Sequence, residues 1–230
     1  MSKIYTAKEL NIRYQELVDN PSTRVPICLC VDTSNSMNNN HRIDRLNEGI
    51  RAFMETLSND DIARDSAELC IISFGNGGTR LICDYNTIDN IEPPNLVASG
   101  KTPMGEAVFM ALEQLRIRKD EYNSAGIDYY QPWLVVISDG EATDIDLVGR
   151  ASVEVQKLIN TRKLHTVPVG IDTNGDALAK FSKDKVYKLD ELKFAEFFAW
   201  LSKSISRVSM SLSGEDPKIE PTNTWEKMFF

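Results

Sequence analysis

Val25-Pro26-Ile27-Cys28-Leu29-Cys30-Val31-Asp32-Thr33-Ser34-Asn35-Ser36-Met37 is the stretch on which the fold turns. It follows the turn-forming Asn20-Pro21-Ser22-Thr23, runs apolar without alternation to Val31 and stops at Asp32, the pattern of a strand covered on both faces. Outward from it, Ile43, Leu46, Ile50, Phe53, Met54 and Leu57 recur at three-four spacing and predict a helix over about residues 42 to 58. Ala67 to Phe74 and Arg80 to Tyr85 read as two strands around Gly75-Asn76-Gly77-Gly78, an antiparallel pair. Met104, Val108, Ala111, Leu112 and Leu115 mark a helix, and Pro132 introduces a strand from Trp133 to Ile137. A helix through Val148, Val155, Leu158 and Ile159, strands His165 to Val169 and Val186 to Leu189, and a last helix from Phe194 to Val208 complete the alternation. The fold class is therefore α/β: a mostly parallel central sheet with one antiparallel edge strand and helices on both faces.

Composition sets the outer limits. A chain of 230 residues, 42% hydrophobic and 26% charged, has the material for one packed domain. The expected organisation is an extension with a short helix over 1–23, the domain over 24–212 and a tail over 213–230 that carries Trp225, Met228, Phe229 and Phe230. With 26 basic against 34 acidic residues the net charge is −8, which argues against a nucleic-acid partner. The apolar runs are too short to cross a bilayer, and MSKIYTAKEL lacks the apolar core of a secretion signal, so the expectation is a cytoplasmic protein with no membrane partner. Cys28, Cys30, Cys70 and Cys83 lie in strand-like segments and read as free thiols, because their spacing suits a strand face and not a zinc site. His41 and His165 have no ligand-spaced neighbours and read as structural.

In sheets of this kind, chemistry collects beyond the carboxyl ends of the strands. Three loops there carry oxygen donors: Asp32-Thr33-Ser34-Asn35-Ser36, Lys101-Thr102-Pro103 and Ser138-Asp139-Gly140-Glu141. Alternation past the strand end lets Ser34 and Ser36 turn their hydroxyls to the side of Asp32. Carboxylates and hydroxyls without Cys or His suit a hard cation, Mg²⁺ or alternatively Mn²⁺ or Ca²⁺.

The strand running into DTSNSM, followed in order by Thr102 in TPMG and Asp139 in ISDGEATD, resembles the von Willebrand factor A domain and its DxSxS opening. The resemblance covers about residues 24 to 210 and implies a Rossmann-like fold with a metal-ion-dependent adhesion site (MIDAS). By resemblance, Ser34, Ser36 and Thr102 offer hydroxyls directly to the cation, while Asp32 and Asp139 act directly or through water. It implies a binding module, not an enzyme, that captures an Asp or Glu of a partner protein as the last metal ligand. Within the family, NPSTRVPICLCVDTSNSM is most similar to the bacterial TerY-like proteins of tellurium-resistance and stress systems, which implies a protein kinase or phosphatase as partner. Asn35 departs from the Gly common between the two serines, a change that Asn tolerates through its ease in left-handed geometry.

Other readings use the same residues. A Mg²⁺-dependent hydrolase or phosphoryl-transfer enzyme on these loops has only Glu141 as a nearby base. Ser99-Gly100-Lys101-Thr102 resembles the end of a phosphate-binding loop, but Asn95 stands where that pattern needs Gly. A metal-independent scaffold would bind through the C-terminal tail. Asp144 and Asp146 read as caps of the following helix or as charges that tune the site's field, and Asp44 and Glu48 as a solvated helix face.

Overall fold

The computed structural model describes residues 6–75, 77–173, 175–189 and 193–210. The sequence's apolar runs become six strands: β1 (Val25–Thr33), β2 (Ala67–Gly75), β3 (Gly78–Thr87), β4 (Trp133–Ser138), β5 (His165–Ile171) and β6 (Tyr187–Leu189). They form one sheet in the order β3-β2-β1-β4-β5-β6. All neighbours are parallel except β2 and β3, which pair antiparallel at one edge. β1, β2 and β4 are buried along their whole lengths, which is why they lack an alternating polar face.

The helices are α1 (Ala7–Asp19), α2 (Arg42–Ser58), α3 (Asp61–Ser66), α4 (Met104–Ala125), α5 (Ile145–Asn160), α6 (Asp176–Ala179) and α7 (Phe194–Met210). Alternate residues of β1 feed two separate cores. Val25, Ile27, Leu29 and Val31 pack with the apolar stripes of α2 and α7, whereas Cys28 and Cys30 pack with those of α4 and α5. The helical periodicity of residues 42 to 58 is α2 itself. α3 and α6, each shorter than two turns, have no periodicity to read; Asp60 caps α3 by accepting from the Ile62 and Ala63 amides.

At the amino end of the sheet, polar side chains tie the elements together. Glu68 on β2 accepts a two-pronged hydrogen bond from Arg118 (2.6 and 2.8 Å) and one from the Tyr122 hydroxyl (2.6 Å). Arg24 lies 3.1 Å from the same carboxylate and donates to the carbonyls of Ser22, Asn20 and Asp65. Arg13 of α1 pairs with Glu121 of α4 and Asp84 of β3, so the leading helix is docked on the sheet layer. No described helix is long and apolar enough to cross a membrane. The expected tail, 213–230, lies outside the described residues, as do residues 1–5.

Candidate metal centre

Strand β1 delivers the first loop to the carboxyl end of the sheet, and its last residues set the geometry. The Asp32 side chain is fully buried; its Oδ1 accepts from the Ser34 amide at 2.7 Å and its Oδ2 from the Ser138 hydroxyl at 2.5 Å. The Ser34 and Ser36 hydroxyls stand 2.9 Å apart, and Ser36 donates to Asp139 Oδ1 at 2.6 Å. A continuous line of oxygens therefore joins the first and third loops. Gly75 makes this possible: a Cβ there, at φ +153°, would meet the Thr33 carbonyl carbon at 2.2 Å.

The loop carrying Thr102 is zipped to both. Ser99 donates its amide to the Thr33 carbonyl (2.8 Å), the Asn35 amide donates to Gly100 O (3.1 Å), and the Thr143 amide donates to Thr102 O (2.9 Å). Thr102 is buried, and among the described residues its hydroxyl takes no hydrogen bond. The structure thus links Asp32, Ser34, Ser36 and Asp139 through side-chain contacts and sets Thr102 beside them through the backbone. The donor set fits a hard divalent cation: hydroxyls and carboxylates converge, and no soft ligand is among them. With only two carboxylates in the set, the charge on a bound cation would not be over-neutralised. Among the described residues no group of three or more His, Cys, Asp or Glu is placed to hold a metal.

Burial is the chief influence on Asp32. It pushes the carboxyl up to about 6, with the nearby Asp139 charge adding to the rise and hydrogen bonds from Ser138 and Ser34 opposing it.

Two residues belong to the site that the sequence did not single out. Ser138 anchors Asp32, although it lies within a loop already marked by its oxygens. Arg42, the first residue of α2, donates to Asp139 Oδ2 at 2.7 Å and to Asp172 Oδ2 at 3.0 Å. Its signal was a cation at a helix N-terminus, where the macrodipole disfavours positive charge. Asp144 does cap a helix, but α4 and not the following α5: its carboxylate accepts from the Gly105 and Glu106 amides. Asp44 is exposed and pairs with His41. Glu141 is exposed, and the segment before Ser99 is irregular backbone, not the strand a phosphate loop requires.

Residues 27–141 match the family model of the von Willebrand factor type A domain. Solved structures share the fold at low identity. The pilus adhesin SpaC from Lactobacillus rhamnosus GG aligns over 80% of this chain with a TM-score of 0.64 and 14% identity. The chain spans 31% of that adhesin's length. The vWF domain of the type V pili tip protein Mfa5 from Porphyromonas gingivalis aligns over 80% of this chain and 95% of its own, at TM-score 0.58 and 12% identity. The manganese-loaded TRAP protein of Plasmodium vivax aligns over 75% of this chain and 71% of its own, at TM-score 0.54 and 18% identity. No curated protein matches the chain.

Proposed function

The chain belongs to the von Willebrand factor type A family, and we propose that it is a metal-ion-dependent protein-binding adaptor. The observation that carries this reading is the hydrogen-bonded run from the Asp32 carboxylate through Ser34 and Ser36 to Asp139, with the loop of the buried Thr102 tied beside it by backbone bonds. Ser34, Ser36 and Thr102 would hold the cation, with Asp32 and Asp139 bound to it directly or through water. Where the two carboxylates act through water, a divalent cation whose direct ligands are neutral hydroxyls keeps positive character at its open position and takes an Asp or Glu of a partner as its remaining ligand. The chain's own residues supply the rest: Ser138 orients Asp32, and the Thr33–Ser99 and Asn35–Gly100 backbone bonds hold the loops in register. That a relative in fold was solved loaded with manganese supports a divalent ion, and we propose Mg²⁺ as the resident one. Relatives that are pilus adhesins and tip proteins support binding over catalysis.

The finer assignment rests on the sequence resemblance alone. We propose a cytoplasmic, TerY-like role in a bacterial tellurium-resistance or stress complex, with a protein kinase or phosphatase as the partner that donates the carboxylate. The four free cysteines suit a reducing compartment. The first test is calorimetric titration of Mg²⁺ and Mn²⁺ into the wild type and Asp32→Ala, with thermal shift beside it, since a ligand of the folded state raises its stability. Binding in the wild type that is lost in the variant is the expected result. No binding of either ion at millimolar concentration, with or without an acidic peptide, would overturn the reading.

A further inference from the structure

Asp139 presents a carboxylate that is fully buried, beside the equally buried Asp32. A buried charge is retained only with a partner. The cation that meets it is Arg42, whose guanidinium spans Asp139 Oδ2 and the half-exposed Asp172 on the loop after β5. Two local features work against this placement. Asn40 and His41 both adopt left-handed backbone (φ 51° and 59°), which Asn takes readily and His at some cost, and the turn they make starts α2 at Arg42. Arg42 then sits at the positive end of the helix dipole. The ion pairs with Asp139 and Asp172 offset both costs.

We propose that Arg42 is a built-in counter-ion that competes with the metal for Asp139. This inference rests on the metal-site reading above. With Ser36 on Oδ1 and Arg42 on Oδ2, each oxygen of Asp139 already accepts a hydrogen bond within the chain. The tie neutralises the carboxylate when no cation is bound. It also keeps Asp139 from direct ligation when one is, so the cation retains more of its charge for an acidic partner. Arg42 is a positioning residue: it acts on the metal through Asp139 and through its own positive charge.

The test titrates Mn²⁺ into wild type, Arg42→Gln and Arg42→Lys, with apo thermal melts and a count of metal-bound waters by Mn²⁺ electron–nuclear double resonance. Withdrawing a unit charge near the site is expected to tighten Mn²⁺ binding about tenfold in Arg42→Gln. The same variant should melt lower without metal and lose one bound water as Asp139 becomes a direct ligand. Arg42→Lys keeps the charge and is expected to bind Mn²⁺ within about threefold of wild type; weaker binding than that would make Arg42 a geometric brace and overturn the proposal even if Arg42→Gln does not fold. If wild type binds Mn²⁺ and Arg42→Gln binds equally or more weakly, the counter-ion role fails while the metal site stands. If no form binds, both fail together.

Discussion

Asp32 is where the site's conflicting demands meet. Its carboxyl is pushed up from an ordinary 3.8 to about 6 by burial, so in the metal-free chain the folded state holds this proton more tightly than the unfolded chain does. The stability it contributes is full below 3.8 and is lost as pH rises through about 6. At neutral pH the buried carboxylate therefore costs about 3 kcal/mol, at roughly 1.4 kcal/mol per pKa unit. Asp32→Asn is expected to raise apo stability at neutral pH by about 1–3 kcal/mol, measured by urea denaturation with chelator, and to abolish Mn²⁺ binding. A cation must displace the same proton, so Mn²⁺ affinity should fall about tenfold per pH unit below about pH 6 and level off above it. Ser138→Ala, which removes the 2.5 Å bond to Asp32, is expected to weaken Mn²⁺ binding about 10- to 100-fold while circular dichroism stays native. Asp32, Ser34, Ser36, Thr102 and Asp139 were legible because each follows a strand or precedes a helix, places that hydrophobic periodicity locates. The roles of Ser138 and Arg42 were not, since each acts on a residue 106 and 97 positions away along the chain, a proximity that only the folded sheet creates.

Among the elements, β1 and β2 divide the work between their two ends. The carboxyl end of β1 forms the first metal loop, and the bare backbone of Gly75 at the end of β2 lets Thr33 pass beside it. Their amino ends are fastened by the cluster of Glu68, Arg24, Arg118 and Tyr122, all buried. Removing the charge at its centre leaves two buried guanidinium groups under-compensated, and breaking a buried pair in this way typically costs about 3–5 kcal/mol. Glu68→Gln is expected to lower stability by that order in chemical denaturation, yet to leave the Mn²⁺ affinity of the folded fraction unchanged, because the cluster lies at the opposite end of the strands. Weakened metal binding in the folded variant would show that the two ends are coupled. Long elements were legible from period alone: the stripe from Ile43 to Leu57 is buried as one face of α2, and the glycine turn after Phe74 does reverse the chain into the antiparallel β3. Neither α3 nor α6 was, because fewer than two turns cannot display a repeated 3.6-residue spacing. Asp144 shows a subtler limit. A capping residue can be recognised by type, but here the helix it caps is its neighbour in space and not the one it introduces.

The whole molecule titrates as a balance between its two ends. His165 opens β5 at the amino end of the sheet, with its ring tilted against that of Trp133, centroids 4.4 Å apart. Burial pushes its imidazole down from 6.5 to about 4, with Lys183 adding to the fall. The unfolded chain therefore binds this proton more readily, and the stability His165 contributes is full above 6.5 and lost as pH falls toward about 4. Asp32 in the metal-free chain moves the opposite way over nearly the same window, gaining stability as pH falls through about 6. Each shift is a little over two pKa units, about 3 kcal/mol, so the two nearly cancel. Asp60, Glu113 and Glu121 are also held below their usual range, but that contribution is lost only below about pH 4.5, where carboxylates of the unfolded chain protonate. A bound cation ends the compensation by fixing Asp32 as a carboxylate. As far as Asp32 and His165 set it, the apo protein is thus expected to change little in stability between about pH 6.5 and pH 4.5, while the Mn²⁺-loaded protein loses stability over the same range. Urea denaturation across that range, with chelator and with saturating Mn²⁺, measures both slopes. Replacing His165 by Gln should flatten much of the loaded curve and make the apo protein more stable on mild acidification, whereas parallel apo and loaded curves in the wild type would mean that Asp32 is not the group the metal displaces a proton from.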